Sequence, residues 1–243
     1  MNVLIACEES QTVCKAFRVR GYDAYSCDVQ EPSGGHPEWH ILGDALEAIE
    51  GGQITTMDGQ VHNVGKWDLL IAHPPCTYLT NAGARHLWKG GNLQPERVKL
   101  GILARDLFMR FWHADIPRVV IENPVPSKVL CLPQYTQIIQ PFQFGHAVTK
   151  KTCLWERGVS PLKPTDIVEP VKGRKLVLKN GTVRYSCWVM DRPGSKEERA
   201  KARAKTFPGI AEAMATQWGA EITTMAQLTD CVAVERRPHE TIM

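Results

Sequence analysis

Apolar residues in this chain gather in short runs that stop abruptly at polar residues, glycine or proline. Val3-Leu-Ile-Ala6 is the first run, with the length and composition of a buried strand. Residues 10–20 then carry Val13, Ala16 and Phe17 on one side with arginine and lysine opposite, which predicts an amphipathic helix closed by Gly21. A second strand is expected over 22–29, ending in Asp28. Strand, helix, strand in that order demands a parallel sheet. The pattern continues with a strand at 39–42, Gly43-Asp44 and a short helix from Ala45. Residues 53–57 and 60–64 alternate around Asp58-Gly59 and predict an inserted hairpin. A fourth strand (67–72), a long helix (95–113) and a fifth strand (118–124) follow. Strands at 137–140 and 150–155, a hairpin at 175–185 turning on Asn180-Gly181, and helices at 197–205 and 210–218 complete the expected elements. Periodicity weakens from Thr223, so 223–243 is expected to be a tail. The fold class is α/β, with residues 1–155 and 201–222 forming the main domain and 156–200 a small hairpin appendage.

At 243 residues, 43% hydrophobic and 23% charged, the chain suits one sizeable domain, and no apolar stretch has the length a bilayer span needs. No export signal precedes the first strand, which points to a cytoplasmic location. The eight cysteines are scattered, several in apolar runs (Cys7, Cys27, Cys153, Cys187), and none forms a CxxC pair, so reduced thiols are expected and no metal site. A net charge of +3 decides nothing alone. Its distribution says more: Lys172, Arg174, Lys175, Lys179 and Arg184 crowd 172–184 without an acid, and 196–205 adds a second basic cluster. Both suit a polyanion, and both also suit a solvated hairpin and helix face.

Ligands of an open parallel sheet bind where strands end at their carboxyl termini. Polar residues collect at those ends here: Glu8 and Glu9 after the first strand, Asp28 after the second, Asp44 after the third, Cys76 after the fourth, Glu122 and Asn123 at the fifth. The fourth run stops at Pro74-Pro75, two residues that fix φ and lack an amide hydrogen, so Cys76 falls on a stiff loop. A stiffly held cysteine beside a glutamate suits covalent attack on an electron-poor ring.

Ala72-His-Pro-Pro-Cys76 followed by Ile121-Glu-Asn-Pro124 resembles the Pro-Pro-Cys and Glu-Asn-Val motifs of the DNA cytosine-5 methyltransferases, in the same order. The closest resemblance is to a compact subgroup common in phage and prophage genomes, and it spans roughly residues 2–155 and 206–219. It implies a Rossmann-like S-adenosylmethionine-dependent methyltransferase fold, with 156–200 as a recognition segment. Cys76 would add as thiolate to carbon 6 of a flipped cytosine, with Pro75 beside it in the catalytic set. Glu122 would hold or protonate N3, and Asn123 would fix the cysteine loop. The cofactor would be S-adenosylmethionine, with Asp28 toward the ribose hydroxyls, Asp44 toward the adenine amino group, and Glu8 and Pro74 also lining its pocket. Residues 206–214 resemble the family's last motif, which packs beside the first helix. DNA is the implied partner, a monomer the favoured state, and restriction-modification in a host cytoplasm the implied setting.

Departures from the family pattern qualify these roles. The loop after the first strand, Ala6-Cys-Glu-Glu-Ser10, contains no glycine. Thr149-Lys-Lys-Thr152 stands where relatives carry arginines, which assigns Lys151 to a base oxygen or a phosphate. Lys205 stands where relatives often carry asparagine; paired with a carboxylated S-adenosylmethionine it would make the product a carboxymethylcytosine, and otherwise it is a solvated lysine ending a basic helix. His73 is expected to be a packed or hydrogen-bonding loop residue rather than a base for the thiol. Trp88, Trp112 and Trp155 are assigned no role. Two rival functions remain: modification of a free pyrimidine nucleotide, and noncatalytic DNA binding.

Overall fold

The computed structural model describes residues 1–173, 175–178, 180–185 and 194–235. Arg174, Lys179 and Cys187 therefore lie outside the described residues.

In chain order the elements are β1 (Asn2–Ala6), α1 (Thr12–Val19), β2 (Asp23–Asp28), β3 (His40–Leu42), α2 (Ala45–Ala48), β4 (Gly52–Thr55), β5 (Val61–Gly65), β6 (Leu69–Ala72), α3 (Asn81–Ala84), β7 (Trp88–Lys89), β8 (Asn92–Leu93), α4 (Pro95–Trp112), β9 (Val119–Pro124), β10 (Gln137–Ile139), β11 (Thr152–Arg157), β12 (Lys175–Val177), β13 (Val183–Tyr185), α5 (Lys196–Ala204) and α6 (Pro208–Glu235). Seven strands form one sheet in the order β10-β11-β9-β6-β1-β2-β3. The run β9-β6-β1-β2-β3 is parallel throughout, and β11 runs antiparallel between β9 and β10. This is the expected α/β class, with a Rossmann-like parallel sheet. The pairs β4–β5 and β12–β13 are separate two-stranded hairpins, as the alternation and turn residues predict.

Both faces of the central strands are covered, which is why they are continuous apolar runs in the sequence. Leu4 and Ala6 of β1 point into a core shared with Phe108 and Phe111 of α4, while Val3 and Ile5 point into the opposite core with Phe17 of α1 and Met214 and Trp218 of α6.

The C-terminal region differs from the sequence expectation. Instead of ending near Trp218, α6 runs from Pro208 to Glu235. Ile210, Met214, Trp218 and Ile222 recur every four residues and are all buried, so the stripe against α1 extends a full turn past the expected end. Pro208 opens the helix at a position where its missing N–H goes unneeded. A second unforeseen feature lies between Cys76 and α4. Short α3 is followed by the β7–β8 hairpin, which turns on Gly90 (φ 57°) and Gly91 (φ 80°).

Candidate active site

Every strand-end residue singled out in the sequence lies along the carboxyl edge of the parallel strands. On the β1–β2–β3 side the loop that lacks glycine bends through two non-glycine residues of positive φ, Cys7 (58°) and Gln11 (55°). Gln11 is held there by its buried side chain: Nε2 donates to Ser26 Oγ (3.2 Å) and to the His36 carbonyl (2.8 Å), and Oε1 accepts from the His36 amide (3.1 Å). The loop after β2 is thereby drawn back over the end of β1, and the Ser33 amide donates to the Glu9 carbonyl at 2.8 Å.

Acids on this side serve the backbone nearby. Glu8 is buried, and its two carboxylate oxygens accept from the Val13 (2.6 Å) and Cys14 (3.1 Å) amides in the first turn of α1. That corrects its assignment as a cofactor ligand: the carboxylate caps a helix, using orphan N–H donors and the positive end of the helix dipole. Burial still raises its pKa, against the lowering pull of His73 and those two amides. Asp44 accepts from the Leu46 amide (2.8 Å) as N-cap of α2, and Asp28 from the Gln30 amide (3.0 Å) in a turn. Both nonetheless act on one spot: the Cys7 thiol is pushed up to about 12 by burial and by the charges of Asp28 and Asp44. Beside them, Glu9 Oε2 is buried with no hydrogen-bond partner among the described residues.

The β6–β9–β11 side is built differently. β6 and β9 are in register with Ala72 opposite Ile121, which brings His73 level with Glu122. The His73 amide continues the ladder to the Ala6 carbonyl (2.9 Å), and its imidazole Nδ1 donates to Glu122 Oε2 (2.9 Å). One residue further along each strand, Asn123 Nδ2 donates to the Pro74 carbonyl (2.9 Å). The far side of the cysteine loop is also tied down, because the Ser127 amide donates to the Leu79 carbonyl (2.7 Å) and Thr80 bridges to Pro126. Cys76, itself exposed, thus sits in a loop clamped at both ends to the segment from Asn123 to Ser127. Gly83 permits the tight return after it, since a Cβ there would overlap the Thr77 carbonyl.

Charges converge on this spot. Although the residue is exposed, protein around the sulfur strips part of its hydration and raises the Cys76 thiol's pKa, and the Glu122 charge raises it further, against Lys150 and Arg203. For Glu122 burial also pushes upward, yet Lys150 and the His73 hydrogen bond and charge outweigh it, so the net shift is downward. His73 moves the other way: burial disfavours its cation, but Glu122 and the charge of Glu8 prevail and raise it. Across the hydrogen bond, His73 and Glu122 each favour the other's charged form. This is the hydrogen-bonding loop residue expected of His73.

Of the two adjacent lysines, Lys150 is the one that reaches the site. It acts on Glu122, Cys76 and His73, and its Nζ donates to the Arg203 carbonyl at 2.9 Å. Lys151 instead acts on Cys153, one residue into β11. Lys150 thus joins Lys151 as a cation available to a base oxygen or a phosphate. Lys205 is not simply solvated, since its Nζ donates to Ser33 Oγ (3.1 Å) on the loop over the β1 end. Trp155 is buried, whereas Trp88 of β7 is half exposed opposite an equally exposed Leu93 of β8. The signal for that hairpin was Gly90-Gly91 between two short polar–apolar pairs.

Six cysteines (Cys7, Cys14, Cys27, Cys76, Cys131, Cys153) are free thiols, and among the described residues no cluster could hold a metal ion. No described helix is long and apolar enough to cross a membrane.

No family model and no curated protein matches the sequence. Three solved structures are similar over part of it. A candidate DNA modification methyltransferase encoded within an E. coli prophage aligns over 70% of this chain and 52% of its own, with 12% identity and a TM-score of 0.38. Entamoeba histolytica methyltransferase EhMeth aligns over 72% and 58%, with 13% identity and a TM-score of 0.39. A triple mutant of Spodoptera frugiperda DNMT2 aligns over 70% and 57%, with 13% identity and a TM-score of 0.38. The chain thus spans between 52% and 58% of the length of these proteins.

Proposed function

We propose that this protein transfers a methyl group from S-adenosylmethionine to carbon 5 of cytosine in DNA through a covalent Cys76 adduct. The observation that carries the reading is the clamp between the Cys76 loop and Glu122-Asn123, two segments 49 residues apart joined by two side-chain hydrogen bonds of 2.9 Å each. Folding alone does not require a cysteine, a buried carboxylate and an asparagine to meet there.

The chemistry follows from the groups present. Cys76 Sγ adds to carbon 6, and the displaced electron pair moves through the ring toward N3, which takes a proton. The thiol gives up one proton and N3 gains one, so addition is proton-neutral overall. A general acid at such a ring nitrogen contributes about two to four orders of magnitude. Glu122, ionised at rest, would gain the proton that Cys76 releases and hold it at N3; once carbon 5 carries the methyl group, loss of the carbon-5 proton to solvent expels Cys76 as thiolate. The negative charge of Glu122 adds to desolvation in raising the Cys76 thiol's pKa, so a base that engages the carboxylate would ease thiolate formation.

The β1–β2–β3 side fits the cofactor. Asp28 and Asp44 present carboxylates at neighbouring strand ends, and the unpaired, buried Glu9 Oε2 awaits a donor between β1 and its covering loop. Bound there, S-adenosylmethionine supplies an electrophilic sulfonium methyl. Residues 77–95 carry no acid, and Lys150 and Arg203 act on the Cys76 sulfur, a charge balance that suits an extruded base, whose unstacking costs a few kcal/mol, and its phosphates.

A second reading concerns the group transferred. The contact of Lys205 with Ser33 sets a cation on the loop over the cofactor side, where it suits a carboxylated S-adenosylmethionine. Mass spectrometry of nucleosides, from DNA of cells expressing wild type or Cys76→Ala, tests both. A Cys76-dependent added mass on deoxycytidine is expected, and its size names the group. DNA left unmodified by folded protein, with dCTP modified instead in vitro, would move the substrate to the free nucleotide.

A further inference from the structure

We propose that His73 is a positioning residue for Glu122: it holds one carboxylate oxygen and leaves the other for the base. The inference rests on the cytosine reading and adds a residue to it. His73 is fixed independently of its side chain, by its amide bond to Ala6 at the end of β1 and by the proline that follows. Its imidazole therefore reaches Glu122 from a rigid base. The 2.9 Å bond occupies Oε2, and none of the hydrogen bonds among the described residues uses Oε1. Glu122 is 8% exposed, and a buried glutamate with three side-chain torsions needs such a partner to stay within the tolerance that proton delivery sets.

The surroundings exclude the simpler roles. A base for the thiol would have to bond Cys76, yet the hydrogen bond that the imidazole makes among the described residues goes to Glu122. A packing residue would need no charge, yet His73 feels the charges of two buried carboxylates, Glu122 and the helix-capping Glu8, with Lys150 opposing them. Its Nε2 is buried and has no hydrogen-bond partner among the described residues. A buried polar ring that forgoes one of its two bonds is held for the other.

The test compares His73→Leu, which removes the donor, with His73→Asn, whose amide can replace Nδ1 but cannot take a proton. Rates of trapped adduct formation are measured across pH, using a 5-fluorocytosine duplex with S-adenosylmethionine, beside circular dichroism and duplex affinity. We expect His73→Leu to lose about 100-fold in rate with affinity within a few-fold. His73→Asn should recover most of that loss. The inflection that Glu122→Gln abolishes should lie at higher pH in His73→Asn, because the cation holding Glu122 down is gone. A His73→Leu rate near wild type, or equal loss in both variants with an unmoved inflection, would overturn the proposal. Nitrogen NMR of the imidazole in the protein alone separates this from the parent reading: its midpoint should lie above that of free histidine and fall in Glu122→Gln. A Glu122-independent midpoint overturns the pairing. A Glu122-dependent midpoint in a protein that forms no adduct overturns the cytosine reaction and, with it, the role of His73 toward a base.

Discussion

The two halves of the sheet's carboxyl edge use the same residue types in opposite ways. On the β1–β2–β3 side the carboxylates bond backbone amides close in sequence: Asp28 to Gln30, Asp44 to Leu46, Glu8 to Val13 and Cys14, separations of two to six residues. On the β6–β9 side the bonds span 49 residues, from His73 to Glu122 and from Asn123 to Pro74. Bonds of the first kind arise wherever an acid follows a strand or precedes a helix, and by themselves say little about chemistry. Bonds of the second kind exist only in the assembled fold and fix reactive groups against each other. Substitutions should therefore harm turnover on the second side and mainly stability on the first.

Glu122→Gln should show the largest effect of that kind. It keeps the shape and removes the acid, so the adduct rate should fall by two to four orders of magnitude with the fold retained. Stability should change with pH in a defined sense. The lowered Glu122 carboxyl contributes stability above the ordinary glutamate range, lost as pH falls through its folded value. The raised His73 contributes stability below the ordinary histidine range, lost as pH rises through its folded value. The melting-temperature difference between wild type and Glu122→Gln should thus be greatest between those limits and shrink on either side. A flat difference would mean the pair is not ionised in the folded protein.

Asn123→Ala against Glu8→Ala is the direct contrast between the halves. Asn123→Ala deletes one buried bond to the Pro74 carbonyl, worth about 1 kcal/mol in stability, but frees the near end of the cysteine loop. Turnover should drop at least about tenfold, since small displacements of a nucleophile are amplified in rate. Glu8→Ala should lower the melting temperature through the exposed start of α1 and leave the rate per folded molecule within a few-fold. The reverse pattern, measured by single-turnover kinetics and thermal melts of both variants, would break the comparison.

What the sequence conveyed follows the same division. The strands were legible because burial on both faces leaves unbroken apolar runs, and Cys76 and Glu122 because they stand where such runs stop. The partner of His73 was not, because it depends on Ala72 lying opposite Ile121 across two strands. Likewise the charge of Lys150 acts on Glu122 and Cys76 only once the segment leading into β11 is packed beside β9. The continuation of α6 was hidden by a weakening pattern whose last buried member, Ile222, counts only once α1 is there to receive it. Glu8 was misassigned for a related reason: a carboxylate after a strand reads as a ligand until the first turn of α1 proves to be its donor.

The smallest expected effect belongs to Asp44, where the local and functional roles overlap. As N-cap of a helix of only four residues it stabilises α2 by about 0.5–2 kcal/mol, and its second oxygen is the one the adenine amino group would use. Asp44→Ser separates the roles, because a serine hydroxyl can still cap while the carboxylate is lost. Its melting temperature should stay close to wild type, with the KM for S-adenosylmethionine rising several-fold and kcat nearly unchanged, since binding is weakened equally in the ground and transition states. An unchanged KM in a protein of unchanged stability would assign Asp44 to the cap alone and shift the cofactor's contacts toward Asp28 and Glu9.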